Sequence, residues 1–313
     1  MRLTQLADII ELVSADGLEV DALALIVSEA LGEDLGGRGV LPPGTGVGFD
    51  VTSFATVPAE VSARGEFVAR QAGTVAGLSV AAYAVAVVCE PAGEFEVTLH
   101  TSDGATVQTG EVLATVTGNA RALLTAERVA LNLLTLMSGV ATATAAWVQA
   151  LAGTRTRVRD TRKTVPGLRM LQKYAVRVAG GVNHRMCLAD AALIKDNHVI
   201  AAGGVVPAYR AVRAAFPDIE VQVEVTTPEQ ARDVARAGAT EILLDNMDAE
   251  QMRAVVAELG PQVTFEASGG LRLSDATLVA MTGVDYVAVG AITHSAQTVD
   301  IALDLTTEFG KIV

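Results

Sequence analysis

The segment EVQVEVTTPEQARDVARAGATEILLDN, residues 220–246, decides the fold. A run rich in β-branched residues (220–225) leads into an amphipathic helix (228–237), and a second such run follows (241–246). The same unit recurs on both sides. Further runs are TRVRDT (156–161), AALIK (191–195), VTFEAS (263–268) and DYVAVG (285–290). Helical periodicity falls at about 167–179, 205–216, 249–259 and 274–282, with a terminal helix expected near 296–309. Strand–helix alternation of this kind predicts a parallel sheet with right-handed crossovers. Six strands fall short of the eight in a complete TIM barrel, and no strand–GxGxxG–helix fingerprint points to a doubly wound sheet. The expectation is an open, incomplete α/β (TIM-like) barrel.

Upstream the pattern differs. Residues 1–35 read as helical, because LADIIELV and DALALIVSEAL space their apolar residues at i, i+3 and i+4. GGRGVLPPGTGVG (36–48) holds six glycines and two prolines and reads as a loop. It lacks the Gly-Lys-Ser/Thr ending of a phosphate-binding P-loop. From 49 to 118 the reading is of strands, in VTSFATVPAEV, ARGEFVARQAGTVAG, EFEVTLH and EVLATVTG, with a turn at Ser102-Asp103-Gly104. The hairpin-rich DGATVQTGEVLATV resembles biotinyl or lipoyl carrier domains, but no lysine precedes Lys163, so a carrier role is excluded. A long helix is expected at about 120–152.

Composition bounds the function. The 313 residues suggest about two domains, and 50% hydrophobic residues supply a sizeable core. A net charge of −13 argues against a broad nucleic-acid surface, which must neutralise phosphates. Two cysteines, Cys89 and Cys187, make no disulfide framework and suit a reducing cytoplasm. Asp8 and Glu11 interrupt what a signal peptide would need as an apolar stretch. Val129–Thr154 is uncharged and long enough to span a bilayer, but its polar residues favour a buried helix. The expected protein is cytoplasmic and without a membrane segment.

Polar residues gather where the barrel strands end. Arg162-Lys163 follow the first strand and Lys195-Asp196-Asn197 the second; Glu224 lies in the third. Asp245-Asn246 close the fourth, Ser268-Gly269-Gly270 the fifth and Gly290 the sixth. That rim carries the active site of an α/β barrel. Between Arg155 and Lys195 stand ten of the 23 basic residues against only Asp160 and Asp190, a local charge of +8. Arg155, Arg169 and Arg177 read as solvated helix residues. Arg162, Lys163, Arg185 and Lys195 sit at strand ends or near the Gly180-Gly181 turn, where arginine forks match carboxylates and phosphates. The site is built for a small polyanion.

Glu224 and Asp245 suit Mg²⁺ with its waters, or a developing cation. Ser268-Gly269-Gly270 and Val289-Gly290-Ala291 are small turns ahead of helices, where backbone N–H groups can receive a phosphate. His184, next to Arg185, reads as a donor to the anion, and His198 as a core or supporting histidine. His184, His198 and His294 have no metal-ligand spacing, and Cys187 has no base at fixed spacing. Lys195 alone leaves a Schiff-base aldolase open, and a non-catalytic anion-binding module is a further reading.

Several stretches together look like the quinolinate phosphoribosyltransferase family. They are TAERVALNLLTLMSGVATAT (125–144), RDTRKTVPGLRMLQKYAVRVAGGVNHR (159–185), DAALIKDNHV (190–199), VEVTTPEQ (223–230), ILLDN (242–246), EASGG (266–270) and GVDYVAVGAITHS (283–295). EDLG (33–36) and DVTS (50–53) match as well, but the Gly/Pro insertion separates what the family normally joins closely. The resemblance implies an N-terminal α/β sandwich domain (1–128) and an open-barrel catalytic domain (129–294), with a C-terminal helix (295–313) packing back on the first. It implies phosphoribosyl transfer from phosphoribosyl pyrophosphate to quinolinate with decarboxylation, giving nicotinate mononucleotide for NAD biosynthesis. Arg162, His184, Arg185 and Lys195 would bind quinolinate, joined by Arg128 from the partner in a homodimer or higher oligomer with a shared site. Thr161 and Lys163 would lie at the junction of the two substrates. Glu224 and Asp245 would meet the ribose and Mg²⁺-pyrophosphate, holding the ion directly or through water. Ser268, Gly269, Gly270, Val289, Gly290, Ala291 and His294 would hold the phosphate end. A paralogous phosphoribosyltransferase-like protein of molybdenum handling shares this fold.

Overall fold

A computed structural model describes residues 1–37, 48–307 and 310–311. Most of the 36–48 loop lies outside the described residues. The chain divides into two compact units: residues 1–142, 166–179 and 296–313, and residues 143–165 with 180–295.

The first unit is built on a six-stranded sheet. Its order is Arg2–Leu3, Glu96–Leu99, Val112–Asn119, Ser62–Ala69, Ile301–Thr307, Gly310–Lys311, every pair antiparallel. Helices Leu6–Ala15 and Val20–Asp34 occupy the N-terminal region read as helical. A helix is expected at 296–309, or over 295–313 by the resemblance, but the described residues there form strands, Ile301–Thr307 and Gly310–Lys311; residues 308–309 and 312–313 lie outside the described residues. Ile301 and Leu305 suit either period, but Leu303 between them completes a strict alternation, and the strand pairs residue for residue from Ile301↔Ala69 to Thr307↔Ala63. A second correction concerns 51–61, read as a strand. Val51–Thr56 is a short helix because Asp50 caps it, its carboxylate accepting from the N–H groups of Thr52 and Ser53 at 3.0 and 3.1 Å.

The strand reading of 49–118 also contained no helix at Leu78–Cys89, which is buried on almost every side. All-round burial erases the amphipathic period, so the run shows no helical signal. Burial also pushes the Cys89 thiol up to about 12. The Ser102-Asp103-Gly104 turn supplies this helix with its anchor. Asp103 accepts from the N–H groups of Gly77 and Leu78 at 2.8 and 3.0 Å, and from the Tyr174 hydroxyl at 2.7 Å. Gly77 has φ +100°, and a Cβ there would stand 2.7 Å from Met137 Sδ, so only glycine fits.

The second unit is the barrel. Its strands are Arg157–Arg159, Ala192–Ile194, Val221–Val225, Glu241–Asp245, Thr264–Ser268 and Tyr286–Ala288, at all six positions read from the sequence. All pairs are parallel, and the order is first, sixth, fifth, fourth, third, second. Strands therefore follow one another round the sheet with an opening between the first and the second. This is an open α/β barrel. The helix Ala120–Ala150 runs through the uncharged stretch; it is long and apolar enough to cross a membrane, yet most of its apolar part is buried in the fold.

The Asp103 anchor generates a stability prediction. Asp103→Ala leaves two buried N–H groups without their acceptor and should cost on the order of 3 kcal/mol. Tyr174→Phe loses one hydroxyl bond and should cost about 1 kcal/mol. Thermal unfolding of both variants checks the ranking.

Candidate functional site

Register alone sorts the barrel's side chains. Gln222, Glu241 and Thr264 lie in one row; Glu224, Leu243, Glu266 and Tyr286 in the next; Asp245 and Ser268 in a third. The alternate positions, Val223, Val225, Ile242, Leu244, Phe265, Ala267 and Val287, are buried and apolar. One face of the sheet is thus a hydrocarbon core and the other is polar. A polar barrel interior is costly unless its groups pair or meet a ligand.

A cavity of about 290 Å³ opens on the polar face. Thr161, Arg162, Lys163, His184, Arg185, Lys195 and Ser268 line it, with Leu193, Leu243, Glu266 and Ala288. Seven residues expected at the site from the sequence therefore surround one space. Its electrostatics are those of an anion site. Burial, and behind it the like charge of Arg162, hold the Arg185 guanidinium below its ordinary value. Arg185 is fixed by its Nη1 donating to Ala191 O at 2.6 Å. Lys195 Nζ donates to Glu224 Oε2 at 3.2 Å, which ties Glu224 to the cavity wall.

The loops after the first and sixth strands are joined. Thr293 Oγ1 donates to Lys163 O at 2.8 Å, and the Lys163 N–H donates to Thr161 Oγ1 at 3.0 Å. Gly290 faces the Lys163 stem and the His294 ring, so a Cβ there would come within 3.1 and 3.2 Å of them. Asp245 pairs in register with Ser268, and its Oδ2 accepts from Asn246 Nδ2 at 2.7 Å. Asn246 sits at φ +54°, and the Gly269 position is so close to it that a Cβ would lie 2.3 Å from its Oδ1. Gly270, at φ +59°, faces open space.

Other expected residues stand differently. Val289 is buried and its N–H is spent on Arg159 O at 2.9 Å, so its amide is not offered to a phosphate. Ala291 is exposed, and His294, also exposed, has Nδ1 2.6 Å from Ser295 Oγ. His198 is exposed and caps its own helix, Nδ1 accepting from the Lys195 N–H at 3.0 Å. Arg128 belongs to the first unit, is largely exposed, and pairs only loosely with Glu127 at 3.3 Å. Glu224 and Asp245, on adjacent strands, offer carboxylates of the kind Mg²⁺ shares with phosphate oxygens; no group of three or more metal-binding side chains occurs among the described residues.

Glu266, Arg159, Gln222, Tyr286 and Asp160 belong to this centre and were not singled out as site residues from the sequence. Glu266 is 1% exposed, and its Oε2 accepts from Arg159 Nη1 at 2.9 Å and from Gln222 Nε2 at 3.3 Å. The Arg159 guanidinium also stacks on Tyr286, 3.8 Å from the ring centre. Asp160, fully buried, accepts from the His184 N–H and from Asn183 Nδ2, each at 2.7 Å. A charge within a β-run is the signal that marks Glu224 and Lys195, and it also marks Glu266 in VTFEAS and Arg159 in TRVRDT.

Comparison with known proteins follows the same lines. The N-terminal domain of quinolinate phosphoribosyl transferase matches residues 50–138, and its C-terminal domain matches residues 140–304. The chain is 49% identical over 290 residues to the nicotinate-nucleotide pyrophosphorylase (carboxylating) of Mycobacterium leprae, covering 92% of this chain and 98% of that protein. It is 40% identical over 264 residues to a probable enzyme of the same name from Bacillus subtilis, covering 84% and 89%. The solved nicotinate-nucleotide pyrophosphorylase of Francisella tularensis superposes with a TM-score of 0.83 at 32% identity, covering 91% of this chain and 96% of that one. On the fold, the site and these likenesses together, the chain belongs to the quinolinate phosphoribosyltransferase family.

Proposed function

We propose that this chain transfers the phosphoribosyl group of phosphoribosyl pyrophosphate to the ring nitrogen of quinolinate, with loss of CO₂, giving nicotinate mononucleotide for NAD biosynthesis. The observation that carries this reading is the set of four cations, Arg162, Lys163, Arg185 and Lys195, around one cavity. Arg162, Arg185 and Lys195 bind the two carboxylates of quinolinate, with His184 beside them. Thr161 and Lys163 lie where the two substrates meet.

The ring nitrogen attacks C1 of the ribose as the bond to pyrophosphate breaks. Positive charge builds on the sugar, and Glu224 and Asp245 stabilise it. Lys163 neutralises the departing pyrophosphate. Glu224 and Asp245 would hold Mg²⁺ directly or through water, and the bound ion would supply further charge to neutralise the pyrophosphate. Ser268, Gly269, Gly270, Gly290, Ala291 and His294 receive the phosphate end. The ribosylated nitrogen is cationic, so it accepts the electron pair left when the adjacent carboxylate departs as CO₂. That carbon then takes a proton. The aldolase reading of Lys195 gives way to the match of both domains to quinolinate phosphoribosyl transferase. Free thiols at buried Cys89 and exposed Cys187 suit a reducing, cytoplasmic setting.

We further infer a homodimer in which Arg128 serves the partner's cavity. Arg128 is exposed in its own chain, and the residues around the cavity all come from the other unit.

Purified protein with Mg²⁺ should convert quinolinate and phosphoribosyl pyrophosphate to nicotinate mononucleotide. Nicotinate lacks the second carboxylate and leaves cations of the cavity without their partner, so its kcat/KM should be at least about a hundredfold lower. Equal turnover of the two acids, read by product chromatography, rejects the assignment of the basic cluster. Steady-state kinetics separate the roles further. Lys163→Ala should lower kcat more than it weakens quinolinate binding, whereas Arg185→Ala should chiefly weaken binding. For the shared site, Arg128→Ala and Lys195→Ala homodimers should both be nearly inactive, and mixing them should restore one intact site in each mixed dimer. Subunit exchange without recovery of activity places Arg128 in its own chain's site.

A further inference from the structure

Glu266 is a buried carboxylate on the cavity wall that the reaction above leaves without a task. Its Oε2 is satisfied by Arg159 and Gln222. Its Oε1 is equally buried and makes no hydrogen bond, although His184 Nε2 stands 3.6 Å away. A carboxylate oxygen left bare out of water is costly, which marks a partner that arrives only in another state.

The ring beside it has the matching vacancy of charge. His184 Nε2 lies 2.9 Å from Gln222 Oε1, whose amide in turn donates to Glu266, while Nδ1 accepts from the Arg185 N–H at 2.7 Å. This pattern assigns a neutral imidazole with its proton on Nε2. The charged groups that share its two cavities are Arg159, Arg162, Lys163, Arg185 and Lys195, opposed by Asp190, Glu220, Glu241 and Glu266. Asp160 holds the His184 backbone from a third side. The cations nearest the anion cavity oppose a further positive charge on the ring. A dicarboxylate in that cavity cancels them, and the balance then favours an imidazolium beside Glu266.

We propose that His184 takes up a proton as quinolinate binds, and that Glu266 is the positioning residue for this, its bare Oε1 receiving the Nε2–H of the imidazolium. The proton comes from solvent and adds to Nδ1, which releases the Arg185 amide and donates to a ligand carboxylate. No covalent bond to carbon changes. The inference rests on the quinolinate reading and adds to it a mechanism for recognising the dianion.

The test is calorimetric titration of the full-length protein with quinolinate at about pH 8, where a free histidine is largely neutral. Repeating it in buffers of different ionisation enthalpy counts the protons taken up. The wild type should take up close to one proton per site, and its Kd should rise about tenfold per pH unit in this range. Glu266→Gln should still bind but with little proton uptake and a flatter pH profile; Glu266→Asp should recover much of both. His184→Asn should take up none. Binding by the wild type without proton uptake overturns the proposal whether or not the variants fold. Undiminished uptake by Glu266→Gln or by His184→Asn overturns it too. If the wild type binds no quinolinate, the functional reading falls, and the proposal with it.

Discussion

Inside the barrel Arg159 and Glu266 face each other at 2.9 Å, and much else is arranged around that ion pair. Both are withdrawn from water, with side-chain exposures of 16% and 1%. Desolvating two charges is expensive, and a buried pair repays it only with good geometry and further hydrogen bonds. Here Tyr286 covers the guanidinium and Gln222 supplies a second donor to the carboxylate. Gln222 in turn orients His184, and the Arg159 carbonyl accepts from Val289, tying the first strand to the turn after the sixth. The pair therefore fixes the wall on which the anion-binding side chains stand. Losing either member strands its partner as an unpaired buried charge.

The opening between the first and second strands gives this arrangement its access. A closed eight-stranded barrel fills its interior with packed side chains. With six strands, the segment that begins near Val182 can enter the gap instead. Val182 bridges to Arg159 there, and His184 and Arg185 follow directly. An otherwise acidic chain of net charge −13 thus gathers four cations, Arg162, Lys163, Arg185 and Lys195, around one concave place. Field lines from a charged cleft with low-dielectric walls are focused, so a small polyanion is drawn to the cleft and repelled elsewhere.

What could be read from the sequence follows from how strongly local periodicity is coupled to burial. All six barrel strands and most of their helices were legible, because a strand between amphipathic helices leaves little choice of period. The strand Ile301–Thr307 was not, since Ile301 and Leu305 satisfy a helix as well as a strand and only its pairing with Ser62–Ala69 decides. Val51–Thr56 hid behind β-branched residues that a single Asp50 cap outweighs. At the site, clustered charge revealed Arg162, Lys163, Arg185 and Lys195. Gln222 and Asp160 act through contacts 38 and 24 residues distant along the chain, which no local pattern encodes.

The turn after the sixth strand shows how one glycine can answer a second demand. Gly290 drew attention as a place where free amides meet a phosphate. Its φ is −65°, an ordinary helical value, so no left-handed conformation demands glycine there. The demand is for space. A Cβ would press on Lys163 Cδ at 3.1 Å and on the His294 ring at 3.2 Å, while Thr293 binds the Lys163 carbonyl from the same turn. Glycine at this position therefore lets the Lys163 side chain lie across the last turn and approach the cavity from the rim. The first and last strands are neighbours in the sheet, so two loops distant in sequence set the place of one ammonium group.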